Sequence, residues 1–137
     1  MEFVGKYDDQ NSMELAARIT ADLLASHPDL AGIGGFDSNT GPGMALAIKE
    51  ANKQGKVFLT TVDAEEIHLR LVKEGTLHYL VGQKRELFTW MGADLLFAMR
   101  HPPFQMGKND EMAGLQPVPE SVDTGIMEID SSNVRYF

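Results

Sequence analysis

Cysteine is absent from this 137-residue chain, and its absence excludes a whole group of chemistries. Without cysteine the chain can form no disulfide, no zinc–thiolate site and no thiol nucleophile. Basic residues are also scarce, since 12 Lys and Arg stand against 20 Asp and Glu and give a net charge of −8. Affinity for a phosphate backbone depends on clustered positive charge. We therefore predict that the protein has no nucleic-acid partner.

Long apolar runs and a leader pattern are missing as well. No run approaches the roughly 20 apolar residues of a membrane-spanning helix. The opening residues, Met1 to Val4, lack the basic segment and the apolar stretch of a signal peptide. Two interpretations stay open, because the chain fits either a cytosolic protein or a mature or truncated piece of an exported one.

The sequence contains no recognisable catalytic or metal-binding motif. Its four histidines show no H-E-x-x-H spacing, and none of its serines lies in a G-x-S-x-G turn. The glycines at 32, 34 and 35 do not complete a dinucleotide fingerprint, because Asp37 stands where the last glycine is needed. Asp37 and Asp63 could serve as the carboxylate pair of a glycoside hydrolase, but the aromatic residues of such a site are missing. We predict a protein that is not an enzyme and needs no cofactor or metal.

Apolar segments alternate with helical patterns in the order β-α-β-α-β-α-β-α-loop-β. The predicted strands are 3–7, 31–36, 57–62, 77–81 and 122–129, and the helices between them show apolar residues at helical spacing. This order is typical of α/β proteins with right-handed crossovers. We predict a three-layer α/β/α sandwich with a mainly parallel sheet, a single domain over 1–137, a long loop over 102–121 and a tail segment over 122–137.

Polar side chains follow three of the predicted strands at the point where each strand ends. These residues are Asp37, Asp63 and Gln83. In an open parallel sheet ligands bind outside the carboxyl ends of the strands, so we expect the three side chains to line one crevice. Two carboxylates and an amide suit a polyhydroxylated ligand. Helix capping is the competing interpretation, because Asp is also a favoured N-cap residue.

A phospho-accepting receiver domain is an alternative of another class. Asp8 and Asp9 would be its acidic pair and Asp63 its acceptor. A receiver needs a hydroxyl residue after its fourth strand and a lysine after its fifth. Here Gln83 follows the fourth predicted strand and Lys84 comes directly after it, so the pattern does not fit well.

The order of motifs resembles the periplasmic sugar-binding proteins of the ribose-binding type. The resemblance covers nearly the whole chain and rests on its H-P-D turn, its D…G-M-A helix, its G-K-V…D strand, its G-Q-K-R-E-L-F stretch and its D-T-G-I…N-V tail, which lie at 27–29, 37–45, 55–63, 82–88 and 123–134. Those proteins have two α/β lobes joined by a hinge, and the sugar is clamped between the lobes. This chain resembles the C-terminal lobe alone.

The resemblance implies that Asp37, Asp63 and Gln83 hydrogen-bond sugar hydroxyls in a receptor for an ABC-type importer. It also implies a periplasmic or extracellular location. The expected partners are a small-molecule sugar, the missing N-terminal lobe and a membrane permease or a sensor, and self-association through the face of the missing lobe is a further possibility. The alternative with the same fold is the effector-binding lobe of a LacI-like transcription repressor.

Overall fold

A computed structural model describes residues 2–102 and 106–137. The elements in chain order are α1 (Met13–Ser26), β1 (Gly32–Gly34), α2 (Thr40–Glu50), β2 (Phe58–Val62), α3 (Glu66–Lys73), β3 (Tyr79–Gln83), α4 (Arg85–Arg100), α5 (Lys108–Met112), β4 (Ile126–Asp130) and a final 3₁₀ turn (Val134–Tyr136). Within the described part, no helix combines the length and the apolarity that crossing a membrane requires.

The four strands form one open sheet in the order β1-β2-β3-β4. β1 pairs in parallel with β2, with Gly34 opposite Thr60, and β2 pairs in parallel with β3, with Val62 opposite Val81. Helices connect these strands, as parallel pairing requires. The predicted α/β fold with a mainly parallel sheet is confirmed.

The first predicted strand, at 3–7, is wrong. This segment has no strand structure, and its apolar side chains Phe3, Val4 and Tyr7 are exposed, with Phe3 at 82%. A strand is stable only when a neighbour pairs with its backbone, and the described sheet begins at β1. Local apolar alternation therefore did not decide the conformation here.

The core lies between the sheet and the helices that pack on it. α1 and α2 approach closely at Gly43, where an added Cβ would collide with the backbone oxygen of Met13 and lie 2.8 Å from the Cβ of Ala16. The largest cluster of buried apolar residues joins α1, α2, α3, β2, β3, β4 and the final turn, and consists of Leu24, Met44, Ala45, Ile48, Val57, Leu59, Leu71, Val72, Leu77, Leu80, Ile129 and Val134.

Contacts divide the chain into two compact units. One comprises the residues up to Gln83 together with Met127–Phe137, and the other comprises Lys84–Ile126. In the second unit, α4 has no buried residue, and its apolar Trp90, Leu96 and Phe97 are exposed. The segment predicted as a long loop, 102–121, includes the short helix α5, and its residues 103–105 lie outside the described part. The tail at 122–137 contains β4 and the final turn.

Candidate functional site

Asp37 lies in the loop between β1 and α2 and caps the helix. Its Oδ1 accepts the backbone N–H groups of Asn39 at 2.8 Å and Thr40 at 2.9 Å. Burial raises the pKa of Asp37, but hydrogen bonds from the side chain and backbone of Thr40 and from the backbone of Asn39 outweigh it, so its pKa is lowered. Asp37 thus binds amides at the start of α2, although Asn39 occupies the N-cap position itself, and its carboxylate keeps other lone pairs for a ligand.

Asp63 follows β2 in a backbone conformation that residues with a side chain seldom adopt. Its φ is 70°, in the left-handed region. Its N–H donates to the carbonyl of Val81 at 3.0 Å, which ties the turn to β3. Aspartate enters this region more often than most residues with a side chain, but the conformation still carries some backbone strain, and such strain recurs at functional sites.

Gln83 and Asp63 are in direct contact. The side-chain Nε2 of Gln83 donates a hydrogen bond to Oδ1 of Asp63 at 3.0 Å. Gln83 is the last residue of β3, and its side chain is exposed. The topology brings these residues together because they end neighbouring parallel strands, as the sequence predicts.

Asp37 and Asp63 lie at matching positions beyond two paired strands. Gly34 pairs with Thr60, and each aspartate comes three residues after its member of that pair. Asp37, Asp63 and Gln83 therefore all lie where the carboxyl ends of the strands meet. We call the surface that these three residues form the carboxyl edge. This is the place where open α/β sheets bind ligands.

A polar turn before α1 fixes the start of α2 beside this edge. The hydroxyl of Thr40 donates to Oδ2 of Asp9 at 2.6 Å, and Nδ2 of Asn39 donates to Oδ1 of Asn11 at 2.8 Å. Asn11 has a φ of 56°. Asp9, which the receiver interpretation places in an acidic pair, thus serves as a hydrogen-bond acceptor for the Thr40 side chain.

The carboxyl edge is an open surface. Asp37 and Asp63 are partly exposed and Gln83 is exposed. Two depressions on the described surface lie along α1, and neither includes any of these three residues. A ligand at the edge would keep much of its surface in water unless a second body covered it.

The chemistry of the edge is that of hydrogen bonding. A carboxylate accepts from hydroxyl groups, and a glutamine amide both donates and accepts. Among residues 2–102 and 106–137 no group of three His, Asp or Glu side chains is arranged to hold a metal ion. The arrangement suits a neutral ligand with several hydroxyl groups.

Two further residues at the edge were missed by the sequence prediction. The ring of Phe36, next to Asp37, is 88% exposed, which is unusual for a large apolar side chain. His68, near the start of α3, is fully buried. Phe36 belongs to the apolar run of a predicted strand, and His68 belongs to an amphipathic helix, so neither pattern sets the residue apart.

The family is decided by a sequence comparison. The family described as a periplasmic binding protein domain matches residues 1–100. The chain belongs to this family. No curated protein sequence matches the chain.

Solved structures extend the match of this periplasmic binding protein chain to its whole length. An arabinose-binding protein from Geobacillus stearothermophilus is 28% identical with a TM-score of 0.86, and the match covers 100% of this chain and 46% of that one. A sugar-binding protein of a Bacillus halodurans sugar ABC transporter is 26% identical with a TM-score of 0.86, covering 98% and 46%. A solute-binding protein of an Agrobacterium vitis ABC transporter, solved with D-fucose, is 31% identical with a TM-score of 0.77, covering 96% and 41%. The chain thus spans less than half the length of these relatives.

Proposed function

We propose that this chain binds a monosaccharide at the carboxyl edge and forms one of two lobes that close on the sugar. The observation that carries the proposal is the Asp63–Gln83 pair. It joins two hydrogen-bonding side chains at the ligand edge of the sheet, and one of them has a strained backbone.

The relatives support a sugar as the ligand class. One is an arabinose-binding protein and another was solved with D-fucose, at 28% and 31% identity. Both are monosaccharides with several hydroxyl groups. Such groups match the acceptors of Asp37 and Asp63 and the donor and acceptor of Gln83.

The openness of the carboxyl edge supports a role for a second lobe. Small-molecule sites of high affinity bury about 70–90% of the ligand surface, whereas Gln83 is exposed and the aspartates are only partly covered. A sugar hydroxyl gains little from a hydrogen bond in open water, because the same bond to water is lost. We expect the second lobe to supply the other half of the site.

The mechanism follows from this division. A sugar that contacts both lobes stabilises the closed arrangement by its differential affinity for that state. A membrane permease of an ABC-type importer, or a sensor, then distinguishes the closed form from the open one. We propose that the whole protein works in the periplasm or outside the cell, and the family description as a periplasmic binding protein domain supports this location.

Calorimetry tests this proposal. Arabinose and D-fucose are titrated into this chain alone and into a two-lobe protein in which an N-terminal lobe precedes it. We expect no measurable heat from the chain alone at micromolar protein concentration and one-to-one binding by the two-lobe protein. Tight stoichiometric binding by the chain alone would contradict the two-lobe mechanism, and the absence of sugar binding by the two-lobe protein would refute the proposed function.

A further inference from the structure

A buried histidine lies beneath the carboxyl edge and takes no part in the proposed ligand contacts. His68, in the first turn of α3, has 0% of its surface exposed. Neither of its ring nitrogens has a hydrogen-bond partner among the described residues, and the same holds for the buried hydroxyl oxygen of Thr61. Buried polar groups without partners are uncommon in native proteins and destabilise the fold.

The ring fits into a space that the absence of a side chain at Gly41 leaves open. A Cβ at Gly41 would lie 3.2 Å from Cδ2 of His68, and 2.8 Å and 3.1 Å from Cγ2 and Oγ1 of Thr61. His68 therefore packs where the first turn of α2 meets β2. Asp37 lies in the loop that leads into α2, and Asp63 lies in the loop that follows β2.

We propose that neutral His68 is a positioning residue that holds the two loops of the carboxyl edge in place, and that its protonation loosens them. A proton on the ring would create a buried cation, and the backbone of Ser38, the hydrogen-bonding group beside it, offsets less than burial costs. The cation can reach water or a carboxylate only if the ring moves outward, and the loops carrying Asp37 and Asp63 adjoin its position.

The charged groups around the ring are few. Asp63 and Glu65, in the β2–α3 connection, act on it through their negative charges, and the backbone of Ser38 is the polar group that acts from the β1–α2 loop. That loop also contains Asp37, whose carboxylate is occupied with the start of α2. β2 has no charged residue, and the charges of α2 lie at its far end, at Lys49 and Glu50.

Burial dominates over these groups. It lowers the pKa of His68, while the backbone of Ser38 and the charges of Glu65 and Asp63 raise it by less. The folded state therefore takes up the proton at a lower pH than the unfolded state, whose pKa is about 6.5. Above that pH the ring is neutral in both states and has no effect. As the pH falls below it, the unfolded state gains protons first and the folded state loses stability, until the pH reaches the folded pKa.

The first test is the unfolding equilibrium of this chain between pH 7.5 and pH 5.0, measured with urea for the wild type and for His68→Leu, which fills the space with an apolar side chain. Between pH 7.5 and pH 5.0, we expect protonation of His68 to raise the unfolding equilibrium constant of the wild type by up to about 30-fold. His68→Leu should lack this increase. His101→Gln, at an exposed histidine, should retain it. Should His68→Leu fail to fold, His68→Gln provides the same comparison.

The second test reads the loops directly. In ¹⁵N spectra the amide signals of Ser38, Asp63 and Glu65 should shift together with the ring signals of His68 on acidification, and they should not shift in His68→Gln. The proposal would be overturned if unfolding of the wild type, His68→Leu and His68→Gln showed the same pH dependence. It would also be overturned if the ring titrated and the signals of the loop amides did not shift. An effect of pH on sugar affinity rests on the proposed function, whereas these two measurements use no sugar, so the two ideas can fail separately.

Discussion

The substitution Asp63→Gly tests two things separately, the backbone strain at Asp63 and the contact of its side chain with a sugar. Asp63 has a φ of 70°. In this region an L-residue costs roughly 1–2 kcal/mol, and glycine avoids most of that cost. At an ordinary position glycine is instead less stable than alanine by about 0.5–1 kcal/mol. At position 63 the glycine variant should therefore be more stable than the alanine variant, which reverses the usual order.

The magnitude follows from three terms. Glycine removes about 1–2 kcal/mol of backbone strain, loses about 0.5–1 kcal/mol through the freedom of the unfolded chain, and loses the exposed hydrogen bond to Gln83, which contributes about 0.5 kcal/mol. The sum runs from a loss of about 0.5 kcal/mol to a gain of about 1 kcal/mol, so Asp63→Gly should be about as stable as the wild type or slightly more stable. Asp63→Ala loses the hydrogen bond and keeps the strain, and should be about 1 kcal/mol less stable than Asp63→Gly.

The assay is urea unfolding of the wild type and both variants, followed by circular dichroism. Ala21→Gly, on the exposed side of α1, is the matched control and should destabilise by about 1 kcal/mol in the usual direction. The NMR shifts that a sugar induces at the carboxyl edge should disappear in Asp63→Gly, although this variant keeps its stability. If Asp63→Gly were less stable than Asp63→Ala, as at an ordinary site, the inference of strain would be refuted.

Two further predictions concern the packing and capping of α2. Gly43→Ala should destabilise the protein by about 1–3 kcal/mol in thermal unfolding, because its Cβ would collide with the backbone oxygen of Met13. The control Gly92→Ala, with no neighbouring atom within 4 Å of the added Cβ, should stabilise it by about 1 kcal/mol. Equal effects of the two substitutions would contradict the close packing of α1 on α2 at Gly43. Asp37→Ala should cost about 1 kcal/mol, as should Ser12→Ala at the cap of α1, whereas Asp37→Asn should cost less. Because the pKa of Asp37 is lowered, the carboxylate stabilises the fold above about pH 4 and this advantage over Asp37→Asn should vanish as the pH falls further; a constant difference down to pH 2 would contradict it.

Helix boundaries with a local chemical signal were predictable from the sequence. Serine is favoured at the start of a helix, and the hydroxyl oxygen of Ser12 accepts the N–H of Leu15 at 3.2 Å at the start of α1. At the other end, Asn52 follows α2 with a φ of 53°, a conformation that asparagine tolerates, and Gly55, with a φ of 70°, lies in the turn beyond. Such signals act over a few residues, so they can be recognised in the sequence without knowledge of the rest of the fold.

The start of α2 shows where local signals compete. Ser38, Asn39 and Thr40 are all of residue types that favour the N-cap position, yet it is Oδ1 of Asp37 that accepts the N–H groups of Asn39 and Thr40. Asn39 and Thr40 instead bond to the turn at Asp9 and Asn11. Those contacts span about thirty residues of sequence, so no local pattern could predict them.

Long-range pairing also explains why the strand predicted at 3–7 is absent and why Asp37, Asp63 and Gln83 lie at one edge of the sheet. A strand needs a partner, and the sequence of 3–7 does not show whether one exists. The edge, by contrast, follows from the order of strands alone, since parallel neighbours end on the same side. The φ of Asp63 and the burial of His68 depend on packing and could not be predicted.

The most direct test of the sugar-binding edge is an NMR titration of this chain with arabinose and D-fucose, compared with Gln83→Ala and with the control Gln54→Ala in the exposed turn after α2. We predict weak, fast-exchange shifts confined to the amides and side chains around Asp37, Asp63 and Gln83, which are lost in Gln83→Ala and retained in Gln54→Ala. Shifts located elsewhere, or shifts that survive in Gln83→Ala unchanged, would contradict the assignment of the carboxyl edge as the sugar-binding surface.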